Sequence, residues 1–198
     1  MPKPRLSLIL PFILVLAAAL FRFLKLEKLV SIPVLENFAP WMALAFTGTL
    51  VFSKRVPFFA LPVLLVLIDL AATGFQGVMH KEAIAVYGTF ALAAWLASRW
   101  RGQIGLVGSL IGVIGCSLGF YAITNTISWL TDPGYAKTFA AWLQAMTTGL
   151  PGLPPTIWFL RNSLLSDVAF SCMLLAAYNT EASIRRQETI PLLRAAVA

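Results

Sequence analysis

Long apolar runs alternate along the chain with short clusters of charge, proline and glycine. Uncharged or nearly uncharged stretches occupy 6–21, 37–53, 56–79, 83–98, 102–130 and 162–180. Most approach or exceed the roughly 20 residues that a helix needs to cross a hydrocarbon core about 30 Å thick. Six such runs predict an all-α integral membrane protein: one domain over 1–198, built as a compact six-helix bundle with both termini on the same side. Pro11 is tolerable near the start of the first helix. The third helix carries Asp69 and is predicted to end at Gly74. Lys54-Arg55 before Pro57, and Ser98-Arg99-Trp100-Arg101-Gly102, read as tight turns on the side of the termini. On the other side the connections are longer. The longest, 132–156, places Phe139, Trp142, Leu143 and Met146 at i, i+3, i+4 and i+7, which predicts an interfacial helix. It breaks at Gly149 and the prolines that follow. In the fifth helix Gly108, Gly112, Gly115 and Gly119 recur at three- and four-residue spacing, a face that permits close helix approach. A cleaved signal peptide competes for the first run, with Lys3 and Arg5 ahead of 6–16 and Ala17–Ala19 as cleavage site. The length of the apolar run favours a span.

Composition sharpens this reading. Of 198 residues, 59% are hydrophobic and 12% charged, against about 45–50% and 25% in soluble domains. A formal net charge of +7 would suggest nucleic acid in a soluble protein, but here the basic residues stand at helix ends. Nine lie on one side (Lys3, Arg5, Lys54, Arg55, Arg99, Arg101, Arg185, Arg186, Arg194) and six on the other (Arg22, Lys25, Lys28, Lys81, Lys137, Arg161). The positive-inside rule puts the nine, the tails 1–5 and 181–198 included, in the cytoplasm. Arg22 and Lys25 read as first-helix residues that snorkel outward. No phosphate-binding loop is present, so any transport is not driven by an ATPase of this chain. No basic face exists apart from helix ends, so nucleic acid is not a partner. The bilayer is.

Ionisable groups inside spans are costly and therefore functional candidates. Asp69 is the clearest, with pairing to Arg161 or a helix end as the structural alternative. His80, the one histidine, precedes Lys81 and Glu82 at the mouth of an outward-facing site. A lone imidazole cannot cage a metal, but it can supply one axial bond to a metal already held by a macrocycle. Tyr87 lies two helical turns beyond it. Asn125, Thr126 and Trp129, with Asn162, Ser163 and Asp167, complete a polar ring that either meets a ligand or joins helices. Cys116 and Cys172 lack metal-site spacing and read as small interface residues. No nucleophile, base and orienting group can be assembled, so an enzyme is not expected.

Several stretches together resemble one family. They are Glu36-Asn-Phe-Ala-Pro-Trp41, the Asp69 helix, Gly77-Val-Met-His80 leading to Val86-Tyr-Gly88, Tyr121 to Thr126 with Trp129, and Phe159 to Asp167. The chain resembles the small six-helix membrane proteins related to substrate-binding S components of energy-coupling-factor vitamin transporters, most nearly the cobalamin-uptake BtuM type. The resemblance implies a protein of the bacterial inner membrane that binds cobalamin in an outward pocket and mediates its uptake. It also implies that the cobalt of this corrinoid is ligated from the loop between helices 3 and 4. The corresponding ligand in that type is a cysteine near an aspartate and a tyrosine. Asp69 and Tyr87 match those partners, whereas the ligand position offers His80, with Glu82 beside it. Asn125, Trp129 and Asn162 would complete the ligand-binding set. Ala17-Ala18-Ala19 replaces the Ala-x-x-x-Ala face by which S components dock on a coupling module, which argues for a solitary protein. The alternatives are a relative for a different vitamin or precursor, and a structural membrane protein without a small ligand.

Overall fold

A computed structural model describes residues 8–30, 39–80 and 82–194, and every regular element among them is helical. Lys3, Arg5, Glu36, Asn37 and Lys81 lie outside the described residues. Helix α1 is Ile9–Leu26. Helix α2 is a π-helical stretch, Ala43–Gly48, that runs on as α-helical Thr49–Val51. Then follow α3 (Ala60–Val78), α4 (Ala83–Trp100), α5 (Leu106–Thr131), α6 (Phe139–Met146) and α7 (Thr156–Ile184). Helices α1, α3, α5 and α7 are each long and apolar enough to cross a membrane. Their outer surfaces agree with that: Leu16, Leu67, Ile111 and Leu165 all stand exposed. So much apolar surface would be a liability in water and suits lipid.

The bundle is organised around α2. Met42, Leu44, Phe46 and Thr47 are almost fully buried, and α2 touches α1, α3, α4, α5 and α7. A helix apolar on all sides belongs in a core. The Phe46 ring meets Trp100 edge-on, with centroids 6.1 Å apart, and presses against α5 at Gly112. A Cβ there would lie 2.3 Å from the ring. The glycine face of α5 thus serves two purposes. Gly112 admits a side chain of α2, while Gly115 and Gly119 have open space before them, along an apolar groove beside α4. Gly112→Ala is therefore expected to cost about 1–3 kcal/mol through overpacking. Gly115→Ala should be neutral or slightly stabilising, since alanine is the better helix former. Thermal unfolding of the two variants in detergent checks this, and equal midpoints would contradict the packing described.

Three boundaries differ from the sequence expectation. Helix α3 does not end at Gly74: the backbone breaks there (φ 70°, ψ −176°) and helical bonding continues to Val78. Positive φ is a conformation that glycine adopts without strain. Helix α7 begins at Thr156, before the expected 162, and extends to Ile184. Residue 181 is therefore helical and not part of a tail. Glu181 accepts the Leu10 N–H at 3.0 Å and the Arg185 Nε–H at 3.1 Å, which ties α7 to the start of α1. The chain beyond α7 folds back. Asn179 accepts from the Ile190 N–H (2.8 Å) and donates to its carbonyl (3.0 Å). The Pro191 and Leu192 carbonyls accept the Leu106 and Val107 N–H groups, satisfying donors that a helix N-terminus leaves open.

The short helix expected within 132–156 is present as α6, capped by Thr138, whose hydroxyl accepts the Ala141 N–H at 3.2 Å. Its inward face is Ala141 and Ala145, while Phe139 and Leu143 point away from the bundle. The apolar stripe is therefore mostly an outer surface, and small residues let α6 sit close. Tyr121 donates to the Met146 carbonyl (2.6 Å) and Trp142 to the Thr126 hydroxyl (3.0 Å), which fastens α6 over the end of α5.

Candidate ligand-binding site

Three helices meet at one carboxylate. Arg22, in the last two turns of α1, donates from Nε and Nη2 to the two oxygens of Asp69 on α3. Tyr87 on α4 donates its hydroxyl to Asp69 Oδ2 at 2.8 Å. The guanidinium of Arg22 also lies over the indole of Trp41, 4.0 Å from the ring centroid. The Asp69 and Arg22 side chains are only 8% and 16% exposed, so this fork of charge-assisted hydrogen bonds is largely shielded from solvent. Cation–π contact with Trp41 holds the guanidinium plane in place.

Two cavities flank that stack. The inner one, about 340 Å³, is lined by Arg22, Trp41, Phe90, Phe120, Asn125 and Asp167 among others. The outer one, about 320 Å³, is lined by Phe21, Arg22, Lys25, Leu26, Ala39, Trp41 and Phe159. Both touch Arg22, Ala39, Trp41 and Phe159, so the Arg22–Trp41 stack stands between them. Within the inner cavity Asp167 is 3% exposed. Its Oδ1 accepts the Ala43 N–H at 3.0 Å, and its Oδ2 accepts the Ser117 hydroxyl at 2.7 Å. It therefore caps the start of the π-helical stretch of α2, and Thr47 and Ser171 join the same two helices by a hydroxyl contact of 2.7 Å one turn further on. π-Helical segments occur frequently at functional sites.

The residues expected from the sequence fall into two groups. Asp69 and Tyr87 are brought together, with Arg22 as the charge partner. Arg161 instead donates to Asn162 Oδ1 at 3.2 Å and lies 5.8 Å from the Trp158 ring. Asn125 lines the inner cavity and donates to the Tyr121 carbonyl at 2.9 Å. The others stand apart. His80 is exposed at the α3–α4 junction, its Nδ1 3.3 Å from Glu82 Oε2. It precedes α4, so the two-turn spacing to Tyr87 does not run along one helix, and neither His80 nor Glu82 lines either cavity. Trp129 donates to the Ala136 carbonyl at 2.9 Å and so braces the connection between α5 and α6. Asn162 is buried beside Arg161 and lines neither of the two cavities. Among the described residues no group of three or more His, Cys, Asp or Glu side chains could hold a metal ion. A single axial bond would need none.

Arg22 and Trp41 were not among the expected site residues. The intramembrane-charge argument that singled out Asp69 applies equally to Arg22, which follows an apolar run and is flanked by Phe21 and Phe23.

Fold and site together define an all-helical protein with membrane-length helices and an ion-paired, aromatic-walled cavity inside the bundle. The chain belongs to the family of unknown function DUF6580, whose family model matches residues 2–189. No curated protein and no solved structure matches the chain.

Proposed function

We propose that the protein captures a small organic solute at the outer face of the bacterial inner membrane and mediates its uptake. In this reading the six apolar runs all cross the bilayer, the termini are cytoplasmic, and α6 lies over the outer face. The observation that carries it is the Arg22–Trp41 stack between two cavities whose walls mix aromatic rings with hydrogen-bonding groups. Ligand pockets have this composition, and at 340 and 320 Å³ each cavity lies at the lower end of their usual span of about 300–1,000 Å³. Mass spectrometry of small molecules that co-purify with the detergent-solubilised protein tests it. One compound should accompany the wild type and be lost from Ser163→Trp, which fills the inner cavity. If nothing co-purifies and no member of a vitamin panel raises the unfolding temperature, the protein is structural.

A second reading is supported by one contact. The 2.8 Å hydrogen bond between Tyr87 and Asp69 joins the two residues that the BtuM resemblance places around a cobalt ligand. In that form the solute is cobalamin and exposed His80 supplies the axial imidazole. Protein purified after growth with cobalamin should then show a corrin absorbance spectrum, and His80→Ala should shift its axial-ligand bands. A colourless preparation rejects cobalamin while leaving the uptake of a smaller solute standing.

A further inference from the structure

We infer that the protein holds an anionic phospholipid, with the phosphate in a basic cavity and an acyl chain in the groove between α4 and α5. This site shares no lining residue with the two solute cavities, and it lies toward the other ends of α2, α4, α5 and α7. The basic cavity, about 530 Å³, lies where the turn after α2, the α4–α5 turn and the folded-back chain beyond α7 come together. Lys54, Arg101 and Arg194 line it against one carboxylate, Glu188. Glu188 is engaged by Arg194 at 2.9 Å, and Arg194 also donates to the Gly102 carbonyl. Arg101 donates from Nε to the Thr49 carbonyl at 2.8 Å and from Nη1 to the Ser53 carbonyl at 3.1 Å, so its partners are neutral. Among the described residues Lys54 has no carboxylate partner either. Of the 8 Asp and Glu residues, Glu36 alone lies outside the described ones. It precedes α2 in the chain, whereas this cavity lies beyond the end of α2. An anion therefore supplies the charge that the cavity lacks, and basic pockets between membrane helices are suited to acidic headgroups.

The groove receives the other half of an amphiphile. It encloses about 540 Å³ between walls that include Leu92, Leu96, Ile111 and Ile123. No side chain fills it at Gly115 or Gly119, where an added Cβ would meet nothing within 4 Å. From Gly108 to Ile123 it follows α5 for about 22 Å at roughly 1.5 Å per residue. That exceeds the roughly 15 Å that each leaflet contributes to a core about 30 Å thick, so an acyl chain fits within its length. Groove and cavity meet at Ile104, which lines both. Beside it Trp100 faces the groove and Arg101 the cavity, and Gly108 and Ser109 divide in the same way. Tryptophan at this level suits the boundary between hydrocarbon and headgroups. Arg101 keeps Nη2 to offer after its two carbonyl contacts, and guanidinium pairs strongly with phosphate. A neutral lipid would fill the groove but leave the charge of the cavity unmet. A small phosphorylated compound would do the reverse.

Native mass spectrometry of the full chain makes the test, with phosphatidylglycerol and phosphatidylcholine of the same acyl chains offered in equal amounts. The first lipid bound should be phosphatidylglycerol by about five-fold or more, the weight of one basic residue near a membrane surface. Lys54 is exposed, so Lys54→Gln should leave the unfolding temperature unchanged and reduce that preference several-fold. Arg101 and Arg194 hold backbone carbonyls and are less informative positions. Gly115→Leu, which fills the groove, should weaken binding of both lipids several-fold. Phosphatidylglycerol with shortened acyl chains gives the same readout without a substitution and should also bind several-fold more weakly. Glycerol 3-phosphate in about hundred-fold excess should not displace the lipid. If it does, the cavity serves a free phosphate compound, which overturns the lipid assignment. Equal binding of the two lipids, a preference unchanged in Lys54→Gln, or full binding of the short-chain lipid also overturns it, and the bound molecules are then annular lipid. None of these outcomes bears on the solute lost from Ser163→Trp, because the two sites share no residue.

Discussion

Alanine at position 69 is expected to lower the unfolding free energy by about 3–5 kcal/mol, the cost of removing one partner from a buried ion pair. The loss comes less from the missing contact than from what stays behind. Arg22 remains stacked on Trp41 and largely enclosed, with no counter-charge and with two N–H groups unpaired. The double variant Arg22→Met with Asp69→Leu should recover most of that stability, because well-packed apolar residues often replace a buried pair at no cost or with a gain of about 1–4 kcal/mol. Chemical or thermal unfolding in detergent distinguishes these cases. A loss under about 1 kcal/mol for Asp69→Ala would place the pair among solvent-screened bridges and make Arg22 a snorkelling residue after all. The recovered double variant separates folding from function: it should be as stable as the wild type and unable to hold the solute.

That pair also marks where the sequence is legible and where it stops. Asp69 stands out in an apolar run, because an acid there has few innocent explanations. Its partner lies 47 positions away on another helix, and no local spacing connects them. Arg22 is close enough to a helix end to be read as a topology charge, which concealed it. The apolar periodicity correctly anticipated an all-helical chain and the short α6, because both follow from segment composition. It did not specify which residues of α6 would turn inward. Close packing selected Ala141 and Ala145, and a hydrophobic stripe beside a membrane need not point at protein. His80 and Tyr87 illustrate a different limit. A helical-repeat argument holds only within a helix, and α4 begins after His80.

The π-helical character of α2 was invisible for a related reason. Nothing in Ala43–Gly48 asks for it locally. Phe46 must fit between Gly112 and Trp100, and the first backbone donors must reach Asp167. Both requirements come from other helices. A wide helical turn is thus the outcome of tertiary demands on a segment with no strong preference of its own, in keeping with propensity being a weak prior.

Asp167 is the other acid whose removal should be felt strongly. In Asp167→Ala the Ala43 N–H loses its acceptor, as does the Met42 N–H that bonds the same carboxylate. Each buried orphan costs about 1–3 kcal/mol. Ser117 suffers less, because its hydroxyl also reaches the Val113 carbonyl at 2.9 Å. The expected loss is therefore roughly 2–6 kcal/mol. Asp167→Asn, which keeps one carbonyl oxygen for the amides, should lose less. Hydrogen exchange gives the more specific readout: amides of α2 should lose protection in the alanine variant, while those of α3 and α4 keep theirs. If α2 stays protected and stability is unchanged, Asp167 does not hold the helix in place, and its buried carboxyl must be retained for the cavity it lines. If α2 loosens, capping of α2 and shaping of the inner cavity are one role. The same carboxylate then fixes the helix that presents Trp41 to Arg22, linking the floor of the site to the stack between its two chambers.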